Sequence, residues 1–272
     1  MNTLKNHLIL YDAECPMCNA YTKGFTQLGM LDKQGRLPYQ EFPAAACPLL
    51  DRERAVNEIA LVNQETGEVT YGIKSLFKIF GTTVPFLKPL FEFAPFVWLM
   101  SKAYALISYN RRVIIPGKQI DHNQVQPAVK LHYRIAYLIV TCMITGLILT
   151  NYVKLMAGII PQGSAWREYL VCGGQLIFQG IIVSFTNPKQ RWAYLGNMMT
   201  ISTIGALLLL PALMMHSWVG SAPVFFMIWF IGTAALMLLL HIKRTRLLAV
   251  NPLLSLSWVV YRLIVLILVI IL

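Results

Sequence analysis

The sequence is poor in charge, and poorest in acid. Only 13% of its 272 residues are charged, against 57% apolar, about half the charged share of an ordinary soluble chain. That excludes a disordered polymer and does not fit a wholly soluble protein. Acid almost vanishes from the second half: residues 122–272 hold 10 Lys and Arg and the single acid Glu168, a balance of +9. Residues 1–121 hold 13 basic and 11 acidic residues, a balance of +2. A nucleic-acid binder gathers its cations on a folded polar face. Here the excess sits in short segments between long apolar runs, as in basic membrane loops, so no nucleic-acid partner is expected. Cysteine is sparse too. Cys15, Cys18, Cys47, Cys142 and Cys172 form an odd, scattered set that excludes a secreted disulfide framework. Internal repeats and low-complexity tracts are absent.

What is present in the second half is apolar length. Five segments, about 133–152, 169–186, 193–215, 222–241 and 253–272, are each long enough to cross a bilayer, which takes about 20 residues per helix. They predict an all-α transmembrane bundle with the lipid bilayer as partner. With a cytosolic N-terminus, the inner loops carry Lys189, Arg191, Lys243, Arg244 and Arg246, and the outer loops only Lys154 and Arg167. That bias places the first domain in the cytosol, as for a bacterial inner-membrane protein. The apolar stretch Leu8–Tyr11 agrees, being too short for a signal-peptide core and lacking a following cleavage site. Arg262 is costly inside a span and is expected to snorkel or to face Gln175, Gln179 or Asn197. Cys142 and Cys172 read as separate small apolar fillers, with nothing in the sequence to pair them. Stretch 84–107 is hydrophobic but broken by Lys88, Glu92, Lys102 and three prolines. It reads as helical, packed on the first domain or lying in the membrane interface.

Residues 1–80 alternate element types. His7–Tyr11 is a short apolar strand, Cys18–Leu31 suits a helix, Leu37–Phe42 a strand and Arg52–Asn57 a short helix. Ile59–Asn63 and Val69–Gly72 form a hairpin around Gly67, and Lys74–Phe80 a further helix. The order β-α-β-α-β-β-α is that of a thioredoxin-like α/β domain. The predicted organisation is therefore a thioredoxin-like domain over 1–115, a linker over 116–132 and a transmembrane helical domain over 133–272.

The chemistry sits in Tyr11-Asp12-Ala13-Glu14-Cys15-Pro16-Met17-Cys18, a Cys-x-x-Cys between a strand and a helix. Free N–H groups and the dipole at a helix start favour thiolate over thiol, and only the thiolate attacks disulfides. Cys18 lies one turn on, placed to resolve a mixed disulfide formed at Cys15. Pro16 suits the first turn, where its missing N–H costs nothing. A carboxylate at Asp12 would raise thiol pKa values or accept a proton from Cys18; equally, Asp12 is a turn former or helix cap. Two other readings of the dithiol stand beside the redox one. A zinc site needs four ligands, and the soluble part offers no second Cys-x-x-Cys or Cys/His pair. Two inert buried thiols are the other.

Asp12-x-x-Cys15-x-x-Cys18 after an apolar strand resembles the DCC family of thiol-disulfide oxidoreductases, named for its Asp-Cys-Cys signature. Tyr71-Gly72 before a helix and Tyr104…Asn110-Arg111 are further matches, and the resemblance spans about residues 6–115. It implies a thioredoxin-like fold, Cys15 and Cys18 as the redox pair and Asp12 as the signature acid. It also makes Arg111 a candidate for holding Asp12 or an anionic substrate, with Tyr11 and Pro16 as supports. Two departures are visible. Ala55-Val56-Asn57-Glu58 stands before Ile59, where thioredoxins carry a cis-proline, and Ser75 takes the place of an expected alanine.

The expected activity is disulfide reduction or exchange on a disulfide-bearing protein or small thiol substrate, without a bound organic cofactor or metal. A rival from another class is a transport or assembly protein whose N-terminal domain senses redox state or docks a partner. A third reading, electron exchange with a membrane quinone, ranks last because no paired cysteines are evident within the spans.

Overall fold

An apolar strand, His7–Tyr11 (β1), runs through the middle of a four-stranded sheet. The computed structural model describes residues 2–43, 46–117, 127–220 and 222–271, and the chain divides into two units, Met1–Arg134 and Ile135–Leu272. In the first unit β1 pairs in parallel with Arg36–Pro38 (β2), placing Ile9 opposite Arg36. On its other side it pairs antiparallel with Ala60–Asn63 (β3), placing Ile9 opposite Leu61. Val69–Tyr71 (β4) closes the order β2-β1-β3-β4.

A parallel pair needs a crossover, and helix Pro16–Gln27 (α1) supplies it. The antiparallel β3–β4 pair turns through Gly67 at φ +70°, a left-handed conformation that glycine adopts freely. Arg52–Asn57 (α2) starts where the Asp51 carboxylate accepts from the Arg54 N–H at 3.0 Å, an N-cap. Ile73–Thr83 (α3) follows β4.

Alternate side chains of β1 and β3 face opposite ways, so each face of the sheet needs cover. Ile9 and Leu61 pack with Phe25 of α1 and Ile79 of α3. Leu8, Leu10, Ala60 and Val62 pack with Phe42 and Ala55 of α2. The strand order, the crossover and the helices on both faces make this a thioredoxin-like domain.

Three local expectations shift. α1 begins at Pro16 rather than Cys18, because Cys15 caps it, and it ends at Gln27, just before Gly29 at φ +68°. β2 stops at Pro38, after which Tyr39 donates to the Tyr11 carbonyl and the chain turns. Stretch 84–107 is two helices, Lys88–Glu92 (α4) and Ala94–Ser108 (α5), meeting at 87°. Phe91 and Phe96 stack on Phe77 of α3 at 4.5 and 5.7 Å between ring centroids. Phe86, Phe93, Trp98 and Leu99 stay exposed, so only one side of this segment packs on the domain. A short helix, Arg111–Ile114 (α6), ends it. Residues 118–126 of the expected linker lie outside the described residues.

The second part of the chain is helical: Leu131–Val153 (α7), Arg167–Thr186 (α8), Arg191–Val219 (α9), Pro223–Leu247 (α10) and Leu253–Ile271 (α11). These five are long and apolar enough to cross a membrane, by length and composition, and the bent α4–α5 segment passes the same test as a broken pair. Leu147, Ile177, Phe185, Leu239 and Ile270 are exposed, as suits side chains facing lipid. Polar side chains turn inward and pair. The Tyr194 hydroxyl donates to Gln179 Oε1 at 2.8 Å, and Arg244 Nη1 donates to Asn197 Oδ1 at 3.0 Å. Gln179 and Asn197 are thus taken by other partners, and Arg262 instead lies over the Trp258 ring at 5.1 Å.

Gly72 opens α3 at φ +63°, and a Cβ there would sit 2.9 Å from Glu58 Oε2 and 3.3 Å from the Tyr104 ring. Gly72→Ala is expected to destabilise the domain by about 1–2 kcal/mol, read as a lowered midpoint in thermal unfolding of the full chain in detergent.

Candidate active site

Cys15 is the N-cap of α1, with extended backbone at φ −99° and ψ 105°. Its sulfur takes the place an oxygen usually fills there, accepting from the Cys18 N–H at 3.3 Å. Cys18, one turn on, presents its thiol to the same sulfur. The Cys18 thiol hydrogen bond is the largest influence on Cys15. Burial opposes it, and the Cys18 amide and the Arg111 charge reinforce it, bringing the Cys15 pKa down to about 7. Cys18 moves the opposite way, since its proton is engaged by Cys15 and burial penalises its ionised form. Tyr21 adds a hydrogen bond to the Cys18 sulfur. One proton shared between two sulfurs is the state in which one is a nucleophile and the other a poised donor.

Both sulfurs are sheltered, Cys15 at 1% and Cys18 at 3% exposure. Gly117 lies against the same turn: a Cβ there would collide with the Glu14 carbonyl oxygen and stand 3.0 Å from Pro16 Cδ.

Asp12, at the end of β1, is 3% exposed and anchors the surroundings. Its Oδ1 accepts from the Glu14 N–H at 3.1 Å and from Gln40 Nε2 at 3.0 Å. Its Oδ2 accepts from Arg111 Nη2 at 3.0 Å and Arg112 Nη2 at 3.3 Å. Burial works to raise this carboxyl, but the two guanidinium charges and the hydrogen bonds from Arg111 and Gln40 outweigh it, holding Asp12 below its ordinary value. Arg112 also bonds Glu14 at 3.0 Å. Arg111, 4% exposed, further donates to the Val56 and Asn57 carbonyls at 2.7 and 2.9 Å. Those carbonyls close the C-terminal end of α2, just ahead of Ile59 where thioredoxins place their cis-proline, and no cis peptide bond occurs among the described residues.

A cysteine capping a helix, hydrogen-bonded to a second one turn along and mounted on a thioredoxin-like sheet, defines a thiol-disulfide oxidoreductase domain. Residues 9–115 match the family model of the DCC1-like thiol-disulfide oxidoreductases, a match that implies oxidoreductase activity for this domain. No curated protein and no solved structure matches the chain.

The residues expected from the sequence are largely brought together. Cys15, Cys18, Asp12, Pro16 and Arg111 converge at the start of α1. Tyr11 is placed differently, its ring lying under the Arg36 guanidinium at 4.4 Å. Ser75, in place of alanine, donates to the Thr70 carbonyl at 2.6 Å. Gln40, Glu14, Arg112 and Tyr21 were not singled out from the sequence. Of these only Tyr21 carried a signal, lying three residues beyond Cys18 on the same helical face. Among the described residues no three His, Cys, Asp or Glu side chains converge as a metal-binding set.

Alkylation of Cys15 by iodoacetamide is expected to rise with pH through about 7, and Arg111→Leu to move that midpoint upward. The same substitution strands a buried carboxylate and is expected to cost about 3–5 kcal/mol, part of which Asp12→Leu in the same chain restores. Because the folded Asp12 pKa lies below its ordinary 3.8, its contribution is full above that value and is lost as pH falls beneath it. Acid unfolding of the parent followed by circular dichroism should show that loss, and the double variant should not.

Proposed function

We propose that the chain is a membrane-anchored protein-disulfide reductase working through Cys15 and Cys18, with its first domain in the cytosol. The observation that carries this reading is the placement of Cys15 as the N-cap of α1, accepting from the Cys18 N–H at 3.3 Å with the Cys18 thiol one turn on, an arrangement that favours its thiolate. The Cys15 thiolate attacks one sulfur of a substrate disulfide. That S–S bond breaks, a Cys15–substrate disulfide forms, and the released sulfur leaves as a thiolate that takes up a proton. Cys18 then loses its proton and attacks Cys15, forming the Cys15–Cys18 disulfide and freeing the second substrate thiol. An external dithiol restores the reduced pair. Asp12, ion-paired and held ionised, is a weak base. It acts as a positioning residue that keeps the Arg111 cation beside both sulfurs. The surplus of loop cations on one side, five against two, supports the cytosolic placement.

The shelter around Cys15 favours a second reading, in which the domain reports redox state to the helical part instead of turning over substrate. Insulin-disulfide reduction by the detergent-solubilised full chain separates the two. The reductase reading expects Cys15→Ser to abolish it and Cys18→Ser to accumulate a covalent complex with substrate. Undiminished activity in Cys15→Ser would overturn it, and an inert parent whose Cys15–Cys18 disulfide still forms reversibly would favour the sensor.

A further inference from the structure

The inner side of the bent pair α4–α5 is closed against α3 by Phe77, Phe91 and Phe96. Its outer side has no such cover. Leu90, Phe93, Trp98 and Leu99, with Phe86 just before α4, are between 42% and 80% exposed. On α5, Pro95, Trp98, Leu99 and Lys102 are all exposed and recur at the spacing of a single helical stripe. A soluble domain seldom leaves so many large apolar side chains together in water. Lys88 and Lys102 lie among them, both exposed, and a long lysine stem lets apolar neighbours sink into lipid while its charge stays at the headgroups. The far end of α5 is fastened to the start of the first long apolar helix. Leu131–Tyr133 open α7 and belong to the first unit. The Tyr109 and Tyr133 rings stack at 4.8 Å, and Asn110 Nδ2 donates to the Tyr133 carbonyl at 3.0 Å. Lys130 Nζ lies over the Tyr109 ring at 4.6 Å.

We infer that the outer side of α4–α5 is a membrane-docking face, which beds Leu90, Phe93, Trp98 and Leu99 in the headgroup layer of the bilayer that α7 enters. The inference rests on α7–α11 lying in a bilayer, and not on the chemistry at Cys15. The bilayer is the occupant because α7, a candidate span from Leu131 onward, brings lipid to the end of α5 that Tyr109 and Asn110 hold. α5 does not cross it. Its 15 residues fall short of the roughly 20 that a span takes, and Lys102 stands on its exposed stripe. A helix of this kind lies in the interface plane, apolar side down. The same helix is mounted on the active site. The Tyr104 hydroxyl accepts from the Ile59 N–H at 3.0 Å, and Ser108 Oγ donates to the Asn57 carbonyl at 2.7 Å, the carbonyl that Arg111 also holds. Docking through α4–α5 therefore holds the dithiol domain at a set orientation to the membrane surface.

Trp98 is the one tryptophan of residues 1–134, and it reports on this face directly. The test places the full chain in nanodiscs of phosphatidylcholine and phosphatidylglycerol, whose two faces are both open to buffer. The Trp98 emission is taken as the difference between the parent and Trp98→Phe. Phospholipids brominated on their acyl chains quench it from within the bilayer, and iodide quenches it from water. The expected result is quenching by the brominated lipid and several-fold protection from iodide. Phe93→Ser with Leu99→Ser, at exposed positions where the thermal midpoint should not move, is expected to restore iodide access several-fold and to weaken the lipid quenching. A Trp98 untouched by brominated lipid overturns the inference: iodide access then marks a face open to water, and shielding from both quenchers a face covered by protein. Lipid quenching undiminished in the double variant overturns it too, since nearness to α7 alone would then suffice. Trp229 of α10, read through Trp229→Phe, serves as the control. If brominated lipid does not reach it, the membrane placement of the helices fails and this inference with it, whereas insulin reduction through Cys15 is unaffected.

Discussion

The chemistry of the first domain depends on one hydrogen bond, that from the Cys18 thiol to the Cys15 sulfur at the opening turn of α1. It lowers one sulfur and raises the other, so neither behaves as an ordinary cysteine. Much of the fold serves to make that bond possible. β1 delivers the chain to the centre of the sheet, Pro16 fixes the backbone for a helical first turn, and the crossover to β2 holds α1 against the sheet. Cys15 then caps a helix whose free N–H groups favour a negative charge. Moving either cysteine by one residue would turn its side chain about 100° around the helix and lose the contact.

The buried ion pair between Asp12 and Arg111 is harder to explain as a source of stability. Removing two charges from water is expensive, and such pairs often add nothing over apolar residues of the same size. Here every oxygen of Asp12 is engaged, and Arg111 has carbonyl partners as well as the carboxylate. That satisfaction keeps the cost tolerable while fixing a positive charge near both thiols. The arrangement makes sense as electrostatics held in place for reactivity, with the carboxylate serving the cation.

Much of this was readable from the sequence, and for physical reasons. β1 and α2 have the expected bounds because a short apolar run and an Asp-initiated turn are local signals. The five long apolar helices are equally local, each written in about 20 consecutive residues. The Cys-x-x-Cys was legible because its spacing equals one helical turn. Contacts made across the fold were not. Gln40 and Arg112 reach Asp12 from 28 and 100 positions away, contacts that no local spacing encodes. Cys142 and Cys172, which read as separate small apolar fillers, are both buried in one apolar cluster although 30 positions separate them on different helices. For Arg262 the sequence offers snorkelling or a place facing Gln175, Gln179 or Asn197; Gln179 and Asn197 find partners in Tyr194 and Arg244, and Arg262 lies over the Trp258 ring.

The separation between Asp12 and Arg111, 99 residues along the chain, has a consequence for biosynthesis. The dithiol leaves the ribosome well before the cation that accompanies it, which comes from the last short helix of the domain. Closing so long a loop carries an entropic cost that nearby contacts do not. The nascent segment therefore presents two cysteines without their guanidinium until nearly the whole domain has been made. Full nucleophilicity thus arrives with the completed fold, and a ribosome-bound fragment ending before α6 would carry the signature without its electrostatic complement.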